Sequence, residues 1–368
     1  MATLGDLTFD KAIKALRDFF RNTPFVFMGT GMSCALDIRF GMPHLTLALQ
    51  NGMEGKRLTA EQTEEWTSVA SALNDGSDLE NALNLVGDQD LLKMLTDITG
   101  YFIASVDRQY SYDISKGSVK WPAITFIKKL VDTLSESDPV LHVLTPNYDM
   151  LLEYSCEYHG VAYSNGLFGG VEKRENWPAV QQALSTLERV VYSGKSKTVY
   201  KLKRHIRLYK VHGSLNYFYH RNAVIENNAW MWTPPDYAER VMITPGMSKY
   251  QTLQRYRQEL LQTADSAISR ASCFLFLGYG FNDSHLEEYI GRKLTAHSCN
   301  GLIITRDTNP RIDSLLSKSD NLWLICKNPN ATVSNSSAIF NKQYDAPLIL
   351  DNSNLWDIRE FTDKILGG

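Results

Sequence analysis

Apolar positions recur along the chain with two different periods. Residues 8–21 (TFDKAIKALRDFFR) space apolar side chains three and four apart, which predicts an amphipathic helix ending at Asn22-Thr23-Pro24. Next comes Phe25-Val26-Phe27-Met28, a continuous apolar run suited to a strand buried on both faces of a parallel sheet, and then Gly29-Thr30-Gly31-Met32-Ser33. The reading is strand, glycine turn, helix. Further short apolar runs at Val140–Thr145, Leu208–His212, Val241–Thr244, Cys273–Leu277, Leu302–Thr305 and Leu322–Cys326 predict strands. Helix-like stretches such as Lys249–Arg270 separate most of them. This alternation predicts an α/β protein with a Rossmann-like, doubly wound parallel sheet.

From about 45 to 135 the pattern turns helical, in DLENALNLVGDQDLLKMLTDITGYFIASV and again in WPAITFIKKLVDTL. We read this as a helical module inserted into one domain spanning 1–368, and its position offers it as an assembly surface. Residues 216–240 (NYFYHRNAVIENNAWMWTPPDYAER) alternate aromatic and polar positions as a hairpin does, and such a cluster reads first as packing. Residues 311–368 are expected to complete the sheet, with Leu355–Leu366 as a closing helix and 327–348 as the least ordered stretch.

Composition adds mainly exclusions. With 43% hydrophobic and 21% charged residues the chain is an ordinary globular one. A net charge of −3 gives no general reason to bind nucleic acid, and the basic run Lys195–Lys210 reads as a solvated loop face. No run reaches the 18 or so apolar residues that span a bilayer, and the N-terminus lacks a secretory pattern, so a cytoplasmic protein is expected. Cys34, Cys156, Cys273, Cys299 and Cys326 form no C-x-x-C pair, so neither a disulfide framework nor a zinc site is indicated and no metal is expected.

Four segments at predicted strand ends could carry chemistry. In Gly29–Ser33 the glycines would let backbone approach a pyrophosphate, with free N–H groups at the start of the next helix; an ordinary tight turn reads equally well. In Thr145-Pro146-Asn147-Tyr148-Asp149, Asn147 can donate and accept, as holding a carboxamide or water requires, while Asp149 could bond a ribose or cap the following helix. Lys210-Val211-His212-Gly213-Ser214 sets an imidazole at a sheet edge, where it suits a general base near neutral pH; a surface or hydrogen-bonded core histidine is the commoner reading of a lone His. Leu277-Gly278-Tyr279-Gly280-Phe281-Asn282-Asp283 is a second glycine turn, able to cradle the adenosine half of a dinucleotide, or a tight turn with Asp283 as a helix cap.

In this order the segments resemble the sirtuin superfamily, with its G-A-G-x-S turn, G-I-P, T-Q-N-x-D, catalytic H-G and late G-T-S or G-Y-S turn. The counterparts are Gly29–Ser33, Gly41-Met42-Pro43, Thr145–Asp149, His212-Gly213 and Gly278–Gly280, over roughly residues 20–310. The chain departs from the protein-deacylating sirtuins in three ways. It has no four-cysteine zinc module after H-G, it carries Pro43-His44-Leu45-Thr46 in place of P-D-F-R, and about four extra residues between Ser33 and Gly41 alter the expected nicotinamide pocket around Asp37–His44. The insertion, H-G-S-L-N followed by aromatics, and G-Y-G-F-N-D look like the sirtuin-like NAD hydrolases of bacterial anti-phage defence. That resemblance implies NAD as substrate, cleaved to nicotinamide and ADP-ribose without a metal. Asn147 would position the nicotinamide end and the attacking water, and His212 would act as base. Gly29, Thr30, Gly31, Met32, Ser33, Thr145, Asp149, Gly278, Tyr279, Gly280 and Asp283 would hold the dinucleotide. It also implies a homo-oligomer and a partner in trans, such as a HerA-type DNA-translocating ring ATPase. The competing readings are a non-catalytic module binding NAD or ADP-ribose and, more distantly, a protein deacylase.

Overall fold

The computed structural model describes residues 5–77, 79–192, 195–243, 261–281, 284–296, 299–331 and 335–367. Its centre is a nine-stranded sheet running Leu348–Asp351, Ser336–Phe340, Leu322–Lys327, Asn300–Ile304, Cys273–Leu277, Phe25–Met28, Val140–Thr145, His205–Lys210, Tyr163–Ser164. The strands from Leu322–Lys327 onward are parallel, and the first two pair antiparallel. This is a Rossmann-like α/β fold with an inserted helical module.

The period-two pattern explains the two cores. Phe25, Phe27, Phe274 and Phe276 project to one face, against Ala264 and Ile268 of the helix Gln262–Arg270 and Ile312 of the helix Pro310–Lys318. Val26, Met28, Leu275 and Leu277 project to the other, against the helices Phe9–Phe19, Ile124–Asp132 and Ile358–Ile365. Each fully buried Phe or Leu contributes about 1.5–3 kcal/mol relative to exposure, which is why these strands tolerate almost no polar residue. From Phe25–Met28 the chain moves to Val140–Thr145 on one side and only later to Cys273–Leu277 on the other. The order therefore reverses at Phe25–Met28, and open α/β sheets bind ligands at the carboxyl edge of such a point.

The insertion begins just beyond that edge. The helices Met42–Met53, Ala60–Asn74, Leu79–Leu83 and the first half of Gln89–Ser115 enclose a separate core around Leu49, Val69, Leu83, Leu91 and Leu95. Thr59 and Gln62 form a reciprocal capping box at the start of Ala60–Asn74. The second half of the 27-residue helix Gln89–Ser115 joins the main core through Ile103, Val106 and Ile114.

Several expectations need correction. Val241 does not join the parallel sheet: Glu239–Met242 pairs antiparallel with Gly213–His220 in a five-stranded sheet that continues through Ala223–Glu226, Lys173–Glu175 and Leu167–Gly169. The aromatic hairpin exists within it, turning at Arg221-Asn222 with φ of 49° and 60°, the positive values a tight hairpin turn requires. The run Lys195–Lys210 is no loop. Lys195–Leu202 pairs with Ser185–Tyr192 in a two-stranded ribbon, and His205–Lys210 is a buried strand of the main sheet. The stretch 327–348 supplies the strand Ser336–Phe340. In that strand Ser336 and Ser337 are buried; Ser337 Oγ donates to Ser353 O (2.7 Å) and accepts from Leu355 N–H (2.7 Å). Of the predicted helix Lys249–Arg270, residues 249–260 lie outside the described residues, as does Thr244 of the predicted strand Val241–Thr244. No described helix is long and apolar enough to cross a membrane.

Candidate functional site

The two glycine turns meet at the reversal point. Phe25–Met28 and Cys273–Leu277 are hydrogen-bonded neighbours, and the chain leaves both at the same height. Gly29 N–H donates to Leu277 O (2.9 Å) and Gly31 N–H to Gly278 O (3.0 Å). A Cβ on Gly29 would overlap Gly278 O and lie 2.6 Å from Tyr279 Cα, and one on Gly278, at φ +53°, would lie 2.8 Å from Gly31 Cα. Backbone-to-backbone packing thus demands glycine at these positions. The free N–H groups expected in the first turn are not free: Gly29, Gly31, Met32 and Ser33 all donate to backbone carbonyls. The helix there, Gly31–Cys34, is a single turn.

Asn147 ties its own loop to the first glycine turn. Its Nδ2 donates to Gly29 O (3.1 Å) and Ser33 Oγ (3.1 Å), and its Oδ1 accepts from Thr30 Oγ1 (3.3 Å). Thr145 Oγ1 donates to Met28 O (2.7 Å) and accepts from Asn147 N–H (3.1 Å), which fixes the loop at the strand end. Buried Asp149 accepts from Ser33 Oγ (2.7 Å) and, through its other oxygen, from Leu151 N–H (3.3 Å) at the start of the helix Leu151–Tyr158. The capping alternative read from the sequence is thus one of the two contacts it makes.

His212, the last residue of the predicted strand Leu208–His212, instead sits half-buried in the turn between His205–Lys210 and Gly213–His220. Its carbonyl accepts from Ile243 N–H (2.8 Å), while Tyr148 O–H donates to Ile243 O (2.7 Å), so the Asn147 loop and the His212 turn are held through a common residue. Gly213 has φ +85°, and a Cβ there would overlap the Val241 carbonyl. Tyr279 is buried among Phe27, Phe276 and Phe281. Asn309 Nδ2 donates to Gly280 O (2.8 Å) and Arg311 Nη1 to Phe281 O (2.8 Å), anchoring the second turn. Asp283 lies outside the described residues.

Sequence reasoning missed the groups beneath the site. Lys210, 3% exposed, donates through Nζ to Tyr148 O (3.4 Å), Asp149 O and Glu153 Oε1 (3.1 Å). Asp107, wholly buried on the helix Gln89–Ser115, accepts from Met150 N–H (2.8 Å) and Tyr154 O–H (2.7 Å). Trp121 Nε1 donates to Met32 O (2.9 Å). A signal existed, since Lys210 falls inside the short apolar run Leu208–His212 and Asp107 falls on the apolar stripe of its helix. Burial pushes the Cys34 thiol up to about 11, which leaves it protonated and non-nucleophilic at neutral pH. Near the expected nicotinamide pocket, hydrogen bonds from Arg39 hold Asp37 down at about 2.

Burial raises Asp107 to about 7, against hydrogen bonds from Met150 and Tyr154 that lower it; Asp149 raises it further and Lys210 lowers it. Between pH 4 and 7 the folded chain therefore keeps a proton that the unfolded chain releases, and stability falls as pH rises through that window. Denaturant titrations should show wild type losing about 2–3 kcal/mol from pH 5 to 8 relative to Asp107→Asn. Parallel curves for the two proteins would refute a titrating Asp107.

This arrangement defines a class: a doubly wound nucleotide-binding-type sheet whose polar groups converge at the carboxyl edge of its reversal point. Residues 141–319 match the family model described as SIR2-like domain, and the chain is similar to that family over this span. The span contains Thr145–Asp149, His212-Gly213 and Gly278–Gly280 but not Gly29–Ser33. No curated protein matches the chain. Among the described residues there is no group of three or more His, Cys, Asp or Glu able to hold a metal ion.

Proposed function

We propose that this chain is an NAD hydrolase that cleaves the dinucleotide to nicotinamide and ADP-ribose and acts as an NAD-depleting anti-phage effector. The observation that carries the reading is the hydrogen-bonded unit of Asn147 with Gly29, Thr30 and Ser33, which joins two separate sequence segments at the reversal point. Such a unit offers an amide and hydroxyls at the place where a dinucleotide would lie.

In the reaction the bond between ribose C1′ and the nicotinamide nitrogen breaks, and its electron pair leaves with nicotinamide as a neutral molecule. Water adds to C1′, giving ADP-ribose and one proton. His212 accepts that proton from the water or from a ribose hydroxyl, and Asn147 orients the water and the carboxamide. The glycine turns and Ser33, Thr145, Asp149 and Tyr279 belong to the dinucleotide's surroundings. In a cell such an enzyme needs restraint until infection, which is the role of a partner in trans such as a HerA-type ring ATPase.

Nicotinamide release from NAD is the test, with purified protein, in the presence and absence of lysate from phage-infected cells. Wild type should release it, and Asn147→Ala and His212→Ala should each lower the rate by about 100-fold or more. Silence of the wild type in every condition would end the hydrolase reading. One observation favours a second reading, a non-catalytic NAD or ADP-ribose module: the Asn147 amide already bonds three protein groups. Full biological effect from His212→Ala would select it.

A further inference from the structure

The hydrogen-bonded unit of Asn147, Ser33 and Asp149 is assembled from two chain segments, and one turn of a single helix holds both. On Gln89–Ser115, Asp107 and Tyr110 stand three residues apart and so share a face. Asp107 accepts from Met150 N–H (2.8 Å) and Tyr154 O–H (2.7 Å), which fixes the residue next to Asp149 and the helix that follows it. Tyr110 O–H donates to Asp37 Oδ2 (2.7 Å), and Gln109 Oε1 accepts from Arg39 Nη2 (2.8 Å).

Asp37 leads straight back to the site. Its N–H donates to the carbonyl of Ser33 (3.0 Å), whose hydroxyl donates to Asp149 (2.7 Å) and accepts from Asn147 Nδ2 (3.1 Å). Its carboxylate orders the loop beyond. Oδ1 accepts from Arg39 N–H (2.8 Å) at the start of the short helical turn Ile38–Phe40, and Oδ2 accepts from Arg39 Nε (2.9 Å) beside the Tyr110 hydroxyl. Phe40, 5% exposed, packs near the Tyr110 ring with centroids 6.4 Å apart.

The other half of the helix belongs to the insertion. Leu91, Leu92 and Leu95 are buried there with Leu49 and Val69, in the core separate from the sheet. An unbroken helix of 27 residues spans about 40 Å. Its hydrogen-bond ladder carries a displacement of the insertion end to Asp107 and Tyr110, and from them to both segments of the site.

We infer that Tyr110 is a positioning residue for the dinucleotide, and that through it the inserted module and the nucleotide site are coupled. The inference rests on the proposed reading of this edge as a dinucleotide site and adds its regulation: the packing of the module sets the affinity of the site. Coupling of this kind is reciprocal, so a ligand in the site also tightens the module.

Calorimetric titration with ADP-ribose tests this, since the probe binds without needing to be cleaved. Tyr110→Phe removes one hydroxyl and keeps the ring near Phe40, and affinity should fall about 5- to 20-fold. Tyr112→Phe, at a position 70% exposed on the same helix, should bind as wild type does. Asp37→Ala should also weaken binding, and adding Tyr110→Phe to it should change little more, because the shared bond is already lost. Amide hydrogen exchange reads the reverse direction. ADP-ribose should slow exchange in Ala60–Asn74 by about 3-fold or more in wild type and leave it unchanged in Tyr110→Phe. Equal affinity of wild type and Tyr110→Phe overturns the inference and leaves the dinucleotide site standing, as does a bound wild type whose Ala60–Asn74 exchange does not slow. A wild type that binds neither ADP-ribose nor NAD overturns both. Nicotinamide release enters none of these measurements, so its absence bears on hydrolysis alone.

Discussion

Lys210→Met is expected to destabilise the chain by about 3–5 kcal/mol in denaturant titrations, because removing one partner strands the others in the interior. The Lys210 and Glu153 side chains are 1% and 7% exposed, so water cannot replace the lost ammonium. Glu153 is already held above the ordinary carboxyl range by burial, with Lys210 pulling it down. Without Lys210 it takes up a proton, and Tyr148 O and Asp149 O lose their shared donor. The same change loosens the loop that carries Asn147, so the proposed NAD cleavage should fall together with stability. Adding Glu153→Leu should return part of the stability, since two well-packed apolar side chains replace a buried ion pair at little cost. A loss below about 1 kcal/mol for the single variant would show that the pair is dispensable.

Gly213→Ala is expected to cost about 3 kcal/mol or more, again read by denaturant titration. A Cβ at φ +85° is strained by itself, and here it also overlaps the Val241 carbonyl, so the strand Glu239–Met242 must shift. Gly160→Ala separates the two effects. Gly160 has φ +65° with no atom within 4 Å of its would-be Cβ, so only the backbone term of about 1–2 kcal/mol remains. Equal losses at the two positions would remove the steric argument. Since His212 precedes Gly213 and its carbonyl holds Ile243, the variant should also lose the proposed NAD cleavage at temperatures where it remains folded.

Local pattern alone determined much of this protein. A strand buried on both faces must be apolar at every position, and Phe25–Met28 and Cys273–Leu277 declared themselves that way. Helical spacing marked the insertion and the closing helix, and glycine after a buried strand marked both turns. The apolar runs Val140–Thr145 and Leu208–His212 placed Asn147 and His212 at strand ends from the sequence alone.

Only the tertiary structure decided what those signals meant. Val241 has the same apolar look whether it enters a parallel or an antiparallel sheet, because burial and not pairing sets the pattern; the turn at His212-Gly213 carried it into the second sheet. The first turn looked like a source of free N–H groups, yet its donors are spent on neighbouring backbone, including Leu277 and Gly278, which lie about 250 residues away in sequence. Lys195–Lys210 read as one solvated run because its charges are contiguous. Pairing made its first half an exposed ribbon and buried Lys210 at its end, where Glu153 and two carbonyls from another segment compensate the charge. Whether a polar residue is solvated or enclosed depends on partners distant in the chain, and only the folded chain brings those partners together.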